Sequence, residues 1–70
     1  MAYCTILTDG KPLRFYPSKE AALRAAKRHF TRTQEGVEVV WCKDGVPKVW
    51  LAFVTPLGTE LSSWWEKCDG

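Results

Sequence analysis

Seventy residues give one small domain, which buries roughly 60% of the surface its unfolded chain exposes. At 46% hydrophobic and 13% aromatic with a net charge of only +2, the composition excludes intrinsic disorder. The longest apolar run, Val49–Val54, is six residues and cannot span a membrane.

Tyr3–Thr8 and Leu13–Tyr16 read as paired strands around Asp9-Gly10, since Gly supplies the positive φ of a tight turn. Pro17-Ser18 ends that hairpin, and Ser18 is a natural N-cap. Strong helix formers follow from Lys19 to Thr31. Helical spacing puts Ala22, Leu23, Ala26 and Phe30 on one stripe with His29 at its margin, and Arg24, Arg28 and Arg32 on the opposite side. Glu20 is placed to pair with Arg24. Gln34-Glu35-Gly36 should close the helix, Gly36 acting as stop or strand lead-in.

The dipeptide recurs in a second expected hairpin, Val37–Lys43 with Lys48–Thr55 around Asp44-Gly45. Two registers are open here. A two-residue turn pairs Lys43 with Val46 and Val40 with Val49. A three-residue turn slips the pairing by one and gathers Val37, Val39, Trp41, Val49, Leu51 and Phe53 on one face, a cleaner separation of apolar from polar. In both, Trp50 and Phe53 lie on opposite faces. Beyond Pro56-Leu57-Gly58, Leu61, Trp64, Trp65 and Cys68 recur at i, i+3, i+4 and i+7, and Thr59 can cap a short helix over 59–67.

The expected fold is therefore α+β: a single ββαββα domain with an antiparallel sheet of about four strands, one main helix and a short C-terminal helix. Its parts are hairpin 3–16, helix 19–31, hairpin 37–55 and helix 59–67.

Chemistry-bearing patterns are few. Cys4, Cys42 and Cys68 form an odd set without C-x-x-C spacing, which points to reduced thiols rather than a disulfide framework or a zinc site. His29 has no local thiol partner, no Ser sits in G-x-S-x-G, and the glycines are scattered singly. The expectation is a non-enzyme with no cofactor and no metal. The start of the chain, Met1-Ala2-Tyr3-Cys4, lacks the basic and apolar regions of a secretory signal, so a cytoplasmic location is expected.

Two surfaces stand out instead. Residues 1–35 hold seven basic and three acidic residues, a balance of +4; residues 36–70 hold three and five, a balance of −2. The excess gathers on the first helix at Lys19, Arg24, Lys27, Arg28 and Arg32, and guanidinium groups pair with carboxylate and phosphate alike. The second surface is aromatic, because Trp, Tyr and Arg dominate binding hot spots. Trp41 and Trp64 are expected in the core, whereas Trp50 and Trp65 are candidate outward anchors. Tyr3, Arg14 and Tyr16, on the less apolar side of the first hairpin, would extend that patch. The candidate partner-binding set is Arg14, Tyr16, Arg24, Lys27, Arg28, Arg32, Trp50 and Trp65.

A chain read as complete from Met1 to Gly70, compact β-β-α units built on Thr8-Asp9-Gly10-Lys11-Pro12 and Lys43-Asp44-Gly45-Val46-Pro47, and no catalytic motif together resemble the small stand-alone proteins of bacteriophages and mobile elements, anti-CRISPR proteins among them. The resemblance implies a protein that works by occupying a host macromolecule, either a protein or a ribonucleoprotein complex. Two other functions are open: a nucleic-acid accessory protein using the basic helix, and a self-associating structural protein. The chain would be a monomer or a homodimer, with no membrane partner.

Overall fold

The computed structural model describes residues 2–67. Its elements run β1 (Tyr3–Leu7), β2 (Pro12–Tyr16), α1 (Lys19–Thr33), β3 (Val37–Lys43), β4 (Val46–Thr55) and β5 (Gly58–Leu61). The strands form one antiparallel sheet in the order β2-β1-β3-β4-β5, with β2 and β5 at the edges. The helix covers one face, and no helix or strand among the described residues covers the other. A small α+β domain is correct; the sheet has five strands, not four, and α1 is its single helix among the described residues. No helix among them is long and apolar enough to cross a membrane.

Ser18 starts α1 as expected, its backbone extended at φ −142° and its hydroxyl accepting from the Ala21 N–H at 3.1 Å. The far end differs slightly. α1 continues to Thr33, and Gln34, not Gly36, takes the left-handed cap conformation at φ 62°, its N–H donating to the Phe30 carbonyl at 2.7 Å. Gly36 leads into β3 where chains approach closely: a Cβ there would lie 3.1 Å from Thr8 Cγ2 and 3.2 Å from Phe53 Cε1.

Ala22, Ala25 and Ala26 are buried on α1, and their small side chains let the helix axis sit close over β1 and β3. Beneath it lie Tyr3, Val37, Val39, Leu51, Ala52 and Val54, with Leu23 and Phe30 sealing the margins. Burying each valine fully stabilises the fold by roughly 1.5–3 kcal/mol. Tyr3, expected in a surface patch, is part of this core at 2% exposure, because its cross-strand neighbours are Tyr16 and Trp41 on the helix side.

The two Asp-Gly hairpins turn differently. At the first, the Gly10 N–H donates to the Leu7 carbonyl, Asp9 Oδ1 accepts from the Lys11 N–H at 2.9 Å, and Gly10 has φ 90°. At the second, Asp44 (φ 53°) and Gly45 (φ 78°) form a two-residue turn that pairs Lys43 with Val46.

Neither expected register of the second hairpin is correct along its length. The turn fixes Lys43↔Val46 and Cys42↔Pro47, one irregularity shifts the next pairs to Trp41↔Val49 and Val40↔Trp50, and a second shifts them again to Val39↔Ala52 and Glu38↔Phe53. The second bulge absorbs Leu51, which stays on the helix side with Ala52. Trp50 and Phe53 consequently share the open face, across from Val40 and Glu38, instead of lying on opposite faces.

The C-terminal helix over 59–67 is not formed. Gly58–Leu61 is extended and pairs with Thr55–Ala52 of β4, and residues 63–67 are turns. A helix of about eight residues is marginal in water, whereas the ten-residue β4 offers a free edge whose N–H and C=O groups need partners. Cys68, the last residue of the apolar stripe, lies outside the described residues.

Candidate functional site: a basic groove between α1 and β2

The connection from β2 to α1 is only Pro17-Ser18, so the helix turns straight back over the sheet. It settles on β1 and β3 and stands away from the edge strand β2, leaving a groove of about 710 Å³ between them. Thr5 and Ala25, both buried, make its floor. Arg24, Lys27, Arg28, Thr31 and Arg32 rise from α1 on one side; Leu13, Arg14 and Tyr16 of β2 form the other.

Arg14 reaches the groove through its register: it pairs with Thr5, and Thr5 is on the helix face. Arg14, Arg24, Lys27, Arg28 and Arg32 are all exposed, while Tyr16 is half-buried against the core. No Asp or Glu lines the groove among the described residues. The expected Glu20–Arg24 pair is not formed; at the groove's far end His29 Nε2 and Glu35 Oε1 are hydrogen-bonded at 3.2 Å. The groove is therefore a concentration of positive charge that no carboxylate lines among the described residues.

The eight candidate residues do not form one surface. Arg14, Tyr16, Arg24, Lys27, Arg28 and Arg32 come together here. Trp50, 39% exposed, is on the opposite side of the sheet. Trp65 packs against the core, with Lys19 Nζ 5.0 Å from its ring centroid and hydrogen-bonded to its backbone carbonyl. Its neighbour Trp64, expected inside, is the more exposed at 51%, with Lys67 Nζ 5.2 Å from its ring. The two residues sit in the turn at residues 63–67, where the Trp65 backbone N–H donates to the Ser62 carbonyl at 3.1 Å. Leu13, in a groove wall, was missed by sequence reasoning; the bulge opposite Thr5/Ile6 that places it carries no sequence signal.

On the open face a cross-strand row runs Phe15–Cys4–Val40–Trp50, with Ile6, Glu38 and Phe53 in the next row. Cys4 and Cys42 are buried there at 1% and 4%, and the Cys4 Sγ–H donates to the Thr5 carbonyl at 3.4 Å. Burial is the main cause that pushes both thiols above their ordinary value, and the neighbouring Cys42 raises Cys4 further. Burial shelters both thiols and favours their protonated form. No cluster of His, Cys, Asp and Glu that could hold a metal ion occurs among the described residues. No family model matches the chain, and no curated protein or solved structure matches it.

Proposed function

We propose that this chain is a non-catalytic binding module whose α1/β2 groove receives an acidic protein surface. On this reading it acts as small bacteriophage-encoded inhibitors of the anti-CRISPR type do, by occupying a host macromolecular complex. The observation that carries it is the set of cations at Arg14, Arg24, Lys27, Arg28 and Arg32 lining one groove with no carboxylate among the described residues that line it. An acidic partner supplies the missing counter-charges, steers encounter at long range and gains bidentate guanidinium–carboxylate contacts on docking. Tyr16 and Leu13 add apolar area beside those charges.

The test is retention from nuclease-treated extract of the native host cell, comparing the wild type with Arg24→Glu/Arg28→Glu. Retention of the same acidic protein by the wild type alone, weakened by added salt, supports the reading. Equal retention by both overturns it, and a signal that vanishes on nuclease treatment assigns the groove to nucleic acid instead.

A second reading has its own observation. The open face exposes Phe15 and Trp50 at 40% and 39% at the two ends of one cross-strand row. Pairing of two copies through this face would cover both rings. Sedimentation equilibrium of wild type against Trp50→Ser tests it, a monomeric wild type at high concentration being the outcome that removes the dimer.

A further inference from the structure

We infer, on the reading of the groove as an acidic-partner site, that the partner adds an extended segment to the free edge of β2, hydrogen-bonding there and turning acidic residues at alternate positions toward the groove's cations.

The edge can be worked out from the ladder. The Cys42 N–H donates to the Ala2 carbonyl at 2.7 Å, so the strand alternation turns the peptide groups of Cys4 and Ile6 toward β3. Those of Tyr3, Thr5 and Leu7 then face β2, as the Leu7 N–H bond to the Lys11 carbonyl at 2.9 Å shows. Tyr16 and Arg14, opposite Tyr3 and Thr5, turn inward, and the N–H and C=O of Phe15 between them turn outward with no strand beyond. Pro12 and Pro17 bracket this edge; neither has an N–H to offer, which confines any added strand to a short segment.

The helix beside the edge has a matching repeat. Arg24, Arg28 and Arg32 recur every four residues, about 6 Å along the axis at 1.5 Å per residue. Alternate side chains of an extended strand recur at about 6.6–6.8 Å. The two repeats are close in length, so alternate carboxylates of a strand added beside β2 suit the spacing of the three guanidiniums, and Arg14, on the helix face of β2, is next to that strand. Carboxylates at those positions would supply the counter-charge that none of the described lining residues provides. The peptide backbone both donates to and accepts from Phe15, as strand addition requires. A phosphodiester backbone has only acceptors, and the groove's one tyrosine, half-buried Tyr16, gives bases little to stack on.

The experiment is fluorescence anisotropy with a short acetylated peptide alternating Glu and Thr, an isomer of the same composition with its Glu residues contiguous, and two versions of the alternating peptide N-methylated on one or the other alternate set. Strand addition predicts that the alternating peptide binds at least about tenfold tighter than its equally charged isomer. It also predicts that N-methylation of one set abolishes binding and of the other leaves it, because only alternate peptide groups face the edge. Equal binding by the two isomers, or by the two methylated versions, overturns the extended geometry. If Arg24→Glu/Arg28→Glu still abolishes binding in that case, the acidic-partner reading stands without it. Absence of binding by every acidic peptide overturns the strand addition, with the acidic-partner reading then decided by the extract retention, whereas preference for a single-stranded oligonucleotide overturns both.

Discussion

Ser18 carries more than its size suggests, because it joins the edge strand to the helix whose charged face forms the groove. Its hydroxyl satisfies the Ala21 N–H, one of the donors left unpaired at a helix start. Ser18→Ala should cost about 1 kcal/mol, which for a domain of this size lowers the melting temperature by roughly 4–8 °C; thermal unfolding followed by circular dichroism measures it. Cys4 and Cys42 make a different contribution. Burial raises both above the ordinary thiol value of 9.0, so the folded state favours the protonated form. The resulting stability is present in full below the thiol value of the unfolded chain and is lost as pH rises through the higher folded values. The melting temperature should therefore fall as pH climbs above about 9. Cys4→Ala/Cys42→Ala, less stable at neutral pH, should show a shallower decline, and parallel curves for the two proteins would reject the thiols as its source.

At the scale of elements, β5 shows how a local pattern loses to a neighbouring edge. Leu61, Trp64 and Trp65 have helical spacing, but the bulge at Leu51 leaves carbonyls on β4 that Ser62 satisfies. Its hydroxyl donates to the Trp50 carbonyl at 2.6 Å and its N–H to the Leu51 carbonyl at 2.9 Å. A helix beginning at Thr59 could not leave Ser62 in that position. Ser62→Ala should cost about 1 kcal/mol and speed amide exchange across Gly58–Leu61 ahead of the rest of the sheet; uniform protection of β5 in the variant would show that the serine does not pin it. The first hairpin, α1 and the second turn were legible because each rests on local chemistry: Asp-Gly, the Ser18 cap and a run of helix formers. The bulges were not, since β4 reads Val49-Trp50-Leu51-Ala52-Phe53-Val54 without a polar residue to mark the phase. That gap is why the slipped register grouped Phe53 with Val37, Val39 and Trp41, whereas it lies beside Trp50 on the open face.

The whole molecule separates its charge by element. The arginine row on α1 was legible in the sequence, but its union with Arg14 and Tyr16 depends on β2 being the strand beside the helix flank, which is a matter of strand order. The assembled groove also works against the fold. Arg24 and Arg28, and Arg28 and Arg32, are like-charged pairs at i, i+4 on one helix face, each destabilising by about 0.2–0.5 kcal/mol. Removing the middle charge relieves both pairs and loses no ion pair, since Arg28 takes part in none among the described residues. Arg28→Gln should therefore stabilise the isolated chain at low ionic strength by about 0.4–1 kcal/mol, and the gain should shrink as salt screens the repulsion over a Debye length that falls to about 10 Å at 0.1 M. The same substitution should weaken capture of the acidic partner. A stability gain with weaker binding marks Arg28 as a residue held for what it meets outside the molecule. Urea titrations at two salt concentrations, read beside the binding assay, distinguish this from a merely structural role, in which Arg28→Gln would leave stability unchanged or lower it.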